Sequence, residues 1–403
     1  MKFISLCLLF VFSFSLAGNA QIIIRTRVNE EKTDADINTG AERTAVYLPW
    51  LSGKTVAVVA NQTSMINKVS LIDTLISLKI NVKKIFSPEH GFRGEAANGE
   101  EIGNSIDAKT KLPVISLYGD HVKPLPQDLK GIDVVIYDIQ DVGVRCYTYV
   151  TTMTNVMEAC AEQKKTFIIL DRPNPNGYYV DGPVLDPANK SFVGIHPVPL
   201  VYGMTIGEYA KMVNGEKWLT NNIQCELKVV TCENYSHNDW YQLPVAPSPN
   251  LPNMSSVYLY PSLCLFEGTV MSVGRGTDLP FQLVGHPKLK NAAYQFTPTS
   301  RTGAKKPPYE KQLCYGHDLH DFALLYVRDY KGIYLYWLLS SYKDMPDQST
   351  FFNSFFVRLA GTKKLQEQIV AGQTEEQIKT SWLPEIQKFK VIRKKYLCYE
   401  DFE

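Results

Sequence analysis

The sequence lacks the marks of several common enzyme classes. There is no Gly-x-x-x-x-Gly-Lys loop, and no Gly-x-Gly-x-x-Gly follows the first apolar run, so nothing marks a nucleotide site. Gly274-Arg275-Gly276 has no third glycine and lies far from that run. The absence of a Gly-x-Ser-x-Gly elbow argues against a serine hydrolase. Histidines and cysteines do not fall at zinc-ligand spacing, and no metal or other cofactor is expected. A formal charge of only +1 gives no electrostatic case for binding nucleic acid or an acidic membrane surface. Past the N-terminus no stretch is apolar and long enough to span a bilayer.

Cysteines suggest no disulfide framework. There are eight, and Cys7 lies in the N-terminal apolar run, which leaves seven: Cys146, Cys160, Cys225, Cys232, Cys264, Cys314 and Cys398. The odd number leaves a thiol unpaired. Cys225 and Cys232 share one strand-like run, where seven residues span roughly 23 Å, too far to bridge. Most are expected to act as small buried hydrophobes.

What is present is ordinary globular composition, 45% apolar and 21% charged over 403 residues, enough chain for two domains. Twenty-three Tyr, 18 Phe and 5 Trp suit a carbohydrate site, because apolar sugar faces stack on rings, although most of them must be core. Lys2, the apolar run Phe3 to Ala17 and the small-residue exit Gly18-Asn19-Ala20 read as a signal peptide cleaved near Ala20. An exported, periplasmic or otherwise extracytoplasmic protein is the expectation. Residues 21–46 read as a polar lead-in.

Beyond it, apolar runs rich in β-branched residues alternate with helical patterns. Strands are expected at 55–60, 82–86, 113–117, 133–139, 166–170 and 225–233, and helices at 69–79, 147–163 and 205–218. Thr205 with Glu208 forms a capping box for the last of these. Residues 174–205, rich in Pro, Gly and Asn, read as a long ordered loop, and Pro244 to Pro252 as extended chain. The alternation predicts an α/β fold with a mostly parallel sheet covered on both faces, whose ligand crevice lies beyond the C-terminal strand ends. After residue 285 the pattern turns basic and Pro-containing. It then becomes helical, at 332–342, 349–361 and 375–396. Residues 21–285 are read as the larger domain and 286–403 as a smaller, helix-rich one.

The polar residues at those strand ends are the candidate site. Ser87-Pro-Glu-His-Gly-Phe-Arg-Gly94 places Glu89, His90 and Arg93 within five residues, between glycines that let the backbone turn sharply. Asn61, Tyr118, Asp138, Gln140, Asp141, Asp171, Arg172 and Asn174 close the other strands. Each alone is more often a cap or turn residue; five such ends together are harder to dismiss. Glu267 and Arg275 follow from a helix end and a glycine turn, with a mutual salt bridge as their structural alternative. Carboxylates with Arg, Asn, Gln and Tyr are the inventory of a glycosidase, which needs a carboxyl acid and commonly a second carboxylate. Glu89 is the first choice for the acid, Asp138 and Asp141 for the second role, and Glu267 is in reserve.

Four ordered blocks carry a resemblance: SPEHGFRG from Ser87, YDIQDVGVRCYTYVTTM from Tyr137, LDRPNPNG from Leu170 and FEGTVMSVGRGT from Phe266. Together they resemble the bacterial exo-β-N-acetylmuramidases, over nearly the whole chain from about Val56. The resemblance implies removal of N-acetylmuramic acid (MurNAc) from the non-reducing end of peptidoglycan fragments such as MurNAc-GlcNAc. It also implies a Rossmann-like larger domain, a smaller α/β domain, a site in the cleft between them, and a catalytic role for Glu89 in the Glu-His-Gly motif. For such a substrate, Arg93, Arg145, Arg172 and Arg275 are available for the lactyl carboxylate, and Tyr118, Tyr147 or Tyr149 for stacking on the ring. The competing readings are a non-catalytic muropeptide-binding protein that uses the same cleft, and a nucleotide-dependent enzyme, which the missing glycine fingerprint disfavours.

Overall fold

A computed structural model describes residues 37–93, 100, 103–289 and 292–403. The expected signal peptide and most of the expected lead-in lie outside these residues. Among the described residues seven strands form the main sheet: β1 (Thr55–Ala60), β2 (Asn81–Ser87), β3 (Ser105–Ile106), β4 (Pro113–Ser116), β5 (Val134–Asp138), β6 (Thr166–Leu170) and β7 (Leu227–Val230). Their spatial order is β3-β4-β2-β1-β5-β6-β7. All neighbours are parallel except the edge pair β3 and β4. The parallel strands run outwards in two halves from β1 and β5, the doubly wound Rossmann order.

Continuous apolar runs make this sheet because both faces are covered. Val56, Val58 and Ala60 of β1 face one way and pack with Ile85, Ile136, Ile168 and Leu170 against helices α1 (Thr44–Leu51) and α2 (Leu71–Ser77). Ala57 and Val59 face the other way, with Phe86, Val135, Tyr137, Phe167 and Ile169. That second face meets α3 (Tyr149–Glu162), α4 (Ile206–Gly215) and α5 (Met254–Leu263). Alternation with a period of two along each strand thus builds two cores from one run.

A second sheet of three antiparallel strands comprises β8 (Leu283–His286), β9 (Tyr294–Phe296) and β10 (Cys314–Asp318), with β10 in the middle. Seven short helices follow: α6 (His320–Leu325), α7 (Val327–Tyr330), α8 (Tyr336–Asp344), α9 (Phe355–Ala360), α10 (Lys364–Val370), α11 (Glu375–Thr380) and α12 (Leu383–Arg393). Phe351, Phe356, Leu365, Trp382 and Phe389 from this region join the same apolar cluster as the α3–α5 face. The helical layer is therefore packed onto the sheet domain through continuous core.

Several expectations are corrected. Residues 37–46 are part of the fold: the Gly40 N–H donates to the Asp171 carbonyl at 2.8 Å, and a Cβ on Gly40 would stand 2.3 Å from the Val230 carbonyl oxygen. The helix expected over 375–396 is two, broken where Pro384 restarts α12 in its first turn. That expected over 349–361 keeps only α9, closed by Gly361 at φ 76°. The capping box forms as expected, with Thr205 Oγ1 accepting from the Glu208 N–H and Glu208 Oε2 accepting from the Thr205 N–H. All seven cysteines of the described chain are free, six of them buried. Among the described residues no helix is long and apolar enough to cross a membrane.

Candidate active site

Doubly wound sheets bind ligands where the strand order reverses, here between the ends of β1 and β5. In this chain that crevice is bridged by the loop after β1. The loop after β1 folds back so that the Ser64 hydroxyl donates to the Asp138 carbonyl, and Thr63 Oγ1 accepts from the Gln140 N–H at 2.9 Å. Thr63 in turn donates to Asn61 Oδ1 at 2.6 Å. The open space lies instead towards the β2 and β4 ends.

There a cavity of about 140 Å³ is lined by Glu89, His90, Tyr118, Tyr147, Glu267 and Arg275, among others. Glu89 arrives from the turn that ends β2. The Gly91 N–H donates to the Pro88 carbonyl at 3.0 Å, and His90 and Gly91 are both left-handed, at φ 70° and 74°. Non-glycine residues adopt that conformation uncommonly, histidine more readily than most, and such positions gather at functional sites. The turn leaves Glu89 and His90 each 7% exposed. Thr148 sits at the N-cap position of α3 without capping it, and its hydroxyl donates instead to Glu89 Oε2 at 2.9 Å.

Aromatic rings line the rest. Tyr147 packs edge-on against Tyr149 at 4.8 Å and Tyr260 at 5.6 Å, and Tyr118 stands edge-on to Phe192 at 5.9 Å. The Tyr149 hydroxyl accepts from Asn61 and donates to the Pro247 carbonyl, tying three segments together. Burial pushes the hydroxyls of Tyr147 and Tyr149 well above the usual phenol range, so they stay neutral.

The opposite wall comes from the turn after α5. Glu267 Oε1 accepts from both Arg275 Nε at 3.0 Å and Nη2 at 2.6 Å. The Arg275 guanidinium lies 4.9 Å from the centre of the Phe281 ring. Gly274 and Gly276 flank it at φ 76° and 81°, a turn that β-carbons would strain.

The other expected site residues stand elsewhere, and each has a fold-building reason. Asp138 is fully buried and bound by Arg172 through Nε–Oδ1 at 2.6 Å and Nη2–Oδ2 at 3.0 Å. Burial raises its carboxyl, and Arg172 opposes that rise. Asp141 accepts from the Tyr202 hydroxyl and the Gly143 N–H, and burial pushes its carboxyl up to about 6. Gln140 spends its amide on the carbonyls of Asp141 and Pro173. Asp171 is held by Thr205, Gly207 and Tyr399, and burial takes it to about 6 as well. Asn174 joins the Met204 carbonyl and the Asn176 N–H. Arg145 donates to four carbonyls, of Pro183, Val198, Leu359 and Ala360, and burial lowers it to about 10. Arg93 is half exposed and paired with Asp107. None of these eight lines the cavity. The expected convergence on one rim therefore separates into an accessible pocket and a sealed polar knot.

Residues the sequence reading did not name also reach the cavity: Thr148, Phe192, Ser248, Asn250, Tyr260 and Phe281. Phe192 comes from the long loop over 174–205. Ser248 and Asn250 are the polar positions within the proline-rich stretch, which was the available signal.

Two family models match in tandem. Residues 56–255 match the N-terminal region of exo-β-N-acetylmuramidase NamZ, and residues 258–399 match its C-terminal region. The chain is similar to the peptidoglycan β-N-acetylmuramidase NamZ of Bacillus subtilis (strain 168), 38% identical over 379 residues that cover 88% of this chain and 89% of that protein. It is also similar to two crystal structures of DUF1343 family proteins from Bacteroides fragilis NCTC 9343. One is 47% identical with a TM-score of 0.85, the other 30% identical with a TM-score of 0.76. Each covers 91% of this chain and is itself covered to 99%.

Proposed function

The chain belongs to the exo-β-N-acetylmuramidase NamZ family, and on that footing we propose that it hydrolyses peptidoglycan fragments in the cavity between Glu89 and Arg275. The protein is a glycoside hydrolase of peptidoglycan turnover. The fragment bond it cleaves is the one that joins a non-reducing terminal MurNAc to the next sugar, as in MurNAc-GlcNAc. A small cavity closed by aromatic side chains and loops suits one terminal sugar better than the middle of a strand.

The observation that carries this reading is Glu89 itself: a buried carboxyl, delivered into the cavity by a left-handed His-Gly turn and oriented by the Thr148 hydroxyl. In the proposed reaction the Glu89 carboxyl gives its proton to the glycosidic oxygen as the C1–O bond breaks, and water bonds through its oxygen to C1, releasing the proton that restores the acid. Glu267 Oε1 already accepts from two nitrogens of Arg275, so the acid role is assigned to Glu89.

Wild type and Glu89→Gln, incubated with MurNAc-GlcNAc, test the assignment by chromatography of the products. Wild type should release MurNAc and GlcNAc, with no cleavage of GlcNAc-GlcNAc, and the variant should release neither sugar while still binding MurNAc. A folded wild type that binds MurNAc and cleaves nothing would favour the binding-protein reading. We also propose export through the leader ending near Ala20, as Lys2, Phe3 to Ala17 and Gly18-Asn19-Ala20 indicate. N-terminal sequencing of the protein from a periplasmic fraction should begin near Gln21.

A further inference from the structure

The substrate assigned above is an acid. MurNAc differs from GlcNAc only by a lactyl ether on O3, which ends in a carboxylate. Enclosing that carboxylate among Tyr, Phe and Leu side chains is costly unless a positive charge or donors meet it. Among the described residues that line the cavity, Arg275 is the only arginine or lysine. The three other arginines that the sequence offered are spent: Arg93 on Asp107, Arg145 on four carbonyls and Arg172 on Asp138.

The geometry of Arg275 is that of a guanidinium kept for something. Nε and Nη2 both donate to one oxygen, Glu267 Oε1, which fixes the guanidinium plane, and the Phe281 ring backs it. Nη1 has no hydrogen-bond partner, although it is shielded from solvent. A shielded N–H without an acceptor costs the free protein stability; Arg145 Nε and Arg328 Nη1 share that state, and of the three residues Arg275 alone lines the cavity. The side chains of Arg275 and Glu267 are only 12% and 20% exposed, so the pair is no surface salt bridge held loosely in water.

We infer that Arg275 is the specificity-determining residue that pairs with the lactyl carboxylate of the substrate, and that Glu267 is its positioning residue. The inference rests on the reading that the cavity holds the terminal MurNAc. It explains why a second carboxylate stands in the cavity without having to be a catalyst. Glu267 keeps the arginine aimed, and the arginine separates a muramic acid from a plain glucosamine. Guanidinium geometry matters here, because its planar fork meets a carboxylate through two parallel N–H bonds, which a lysine ammonium cannot do.

The test is a binding matrix, measured by calorimetry or as competitive inhibition, on wild type, Arg275→Met, Arg275→Lys and Glu267→Gln. The probes are MurNAc, its lactyl methyl ester and GlcNAc. Wild type should prefer MurNAc to the ester by roughly 10- to 100-fold, the range of a charge-assisted bond. Arg275→Met should erase that preference by weakening MurNAc alone. Arg275→Lys should restore part of it, and Glu267→Gln should lose part of it while ester binding stays unchanged. Equal binding of MurNAc and its ester by wild type would overturn the inference, and so would a variant that weakens all three probes alike. The wild-type comparison decides the matter even if Arg275→Met fails to fold. A folded wild type that binds none of the probes would overturn the reading of the cavity itself, and the inference with it.

Discussion

Two polar clusters lie at the C-terminal edge of the same sheet, and they are built for opposite purposes. One is the cavity wall, where Glu89, Tyr147, Glu267 and Arg275 border open space. The other is the knot beyond β1, β5 and β6, where Asp138, Arg172, Asp141 and Asp171 are enclosed. In the knot, charge meets charge or backbone within the fold: Arg172 grips Asp138 through two nitrogens, and Tyr202 and Tyr399 donate to Asp141 and Asp171. On the wall, Arg275 Nη1 has no hydrogen-bond partner and its residue lines the cavity, whereas Asp141 Oδ1, the knot atom in the same state, is enclosed away from it. The difference teaches that density of polar residues at strand ends locates the functional edge of a doubly wound sheet. Which of them work is decided by the loops that come to cover them. Here the Asn61–Ser64 loop bridges the switch point, and the cavity lies at the ends of the neighbouring strands.

Substitution should separate the clusters. The largest expected effect is catalytic: Glu89→Gln should lower turnover of MurNAc-GlcNAc by about 10²- to 10⁴-fold, the usual worth of a general acid, with the melting temperature unchanged. Asp138→Asn should do the reverse. It leaves the Arg172 guanidinium buried without its anion, at a cost of about 3–5 kcal/mol in urea unfolding, and any folded fraction should keep wild-type turnover.

The knot should also show in pH dependence. Burial raises the Asp141 carboxyl from 3.8 to about 6, so the fold favours its neutral form. A raised acid adds stability that is full below about pH 4 and is lost as pH rises through about 6. The shift of about two units is worth up to about 3 kcal/mol. Wild type should therefore lose up to that much more stability than Asp141→Asn between pH 4 and 7.5. Matching slopes in the two proteins would place the titration elsewhere. The smallest effect is expected at Thr148→Val, which removes the hydroxyl on Glu89. Turnover should fall roughly 10-fold, the worth of one hydrogen bond to a charged or catalytic group, with stability little changed.

The legible parts of the chain were those with one physical cause. Thr55–Ala60, Val134–Asp138 and Thr166–Leu170 read as buried strands because nothing but a two-faced core explains continuous β-branched runs. Thr205 and Glu208 announced α4 because a capping box is local. Glu89 stood out because a carboxylate beside His-Gly at a strand end has little structural use. By contrast, α1 was missed, with Pro49 inside an eight-residue helix, and so were the short strands β8 and β9. Strands of three or four residues are too short to show a period. A different limit left the arginines unsorted. Whether Arg145 meets carbonyls from residues 183, 198, 359 and 360, or a ligand, depends on segments more than 200 residues apart. The salt bridge that stood as the alternative for Glu267 and Arg275 does form, but only the fold shows that their pair borders a cavity.

The most direct measurement is the dependence of the Glu89→Gln defect on the leaving group. A disaccharide's departing GlcNAc needs a proton, whereas p-nitrophenolate departs without one. With Glu89 as the acid, the variant should lose kcat/KM on MurNAc-GlcNAc by at least about 100-fold and lose far less on p-nitrophenyl-MurNAc. Equal losses on both substrates, or a disaccharide rate near that of wild type, would contradict the account.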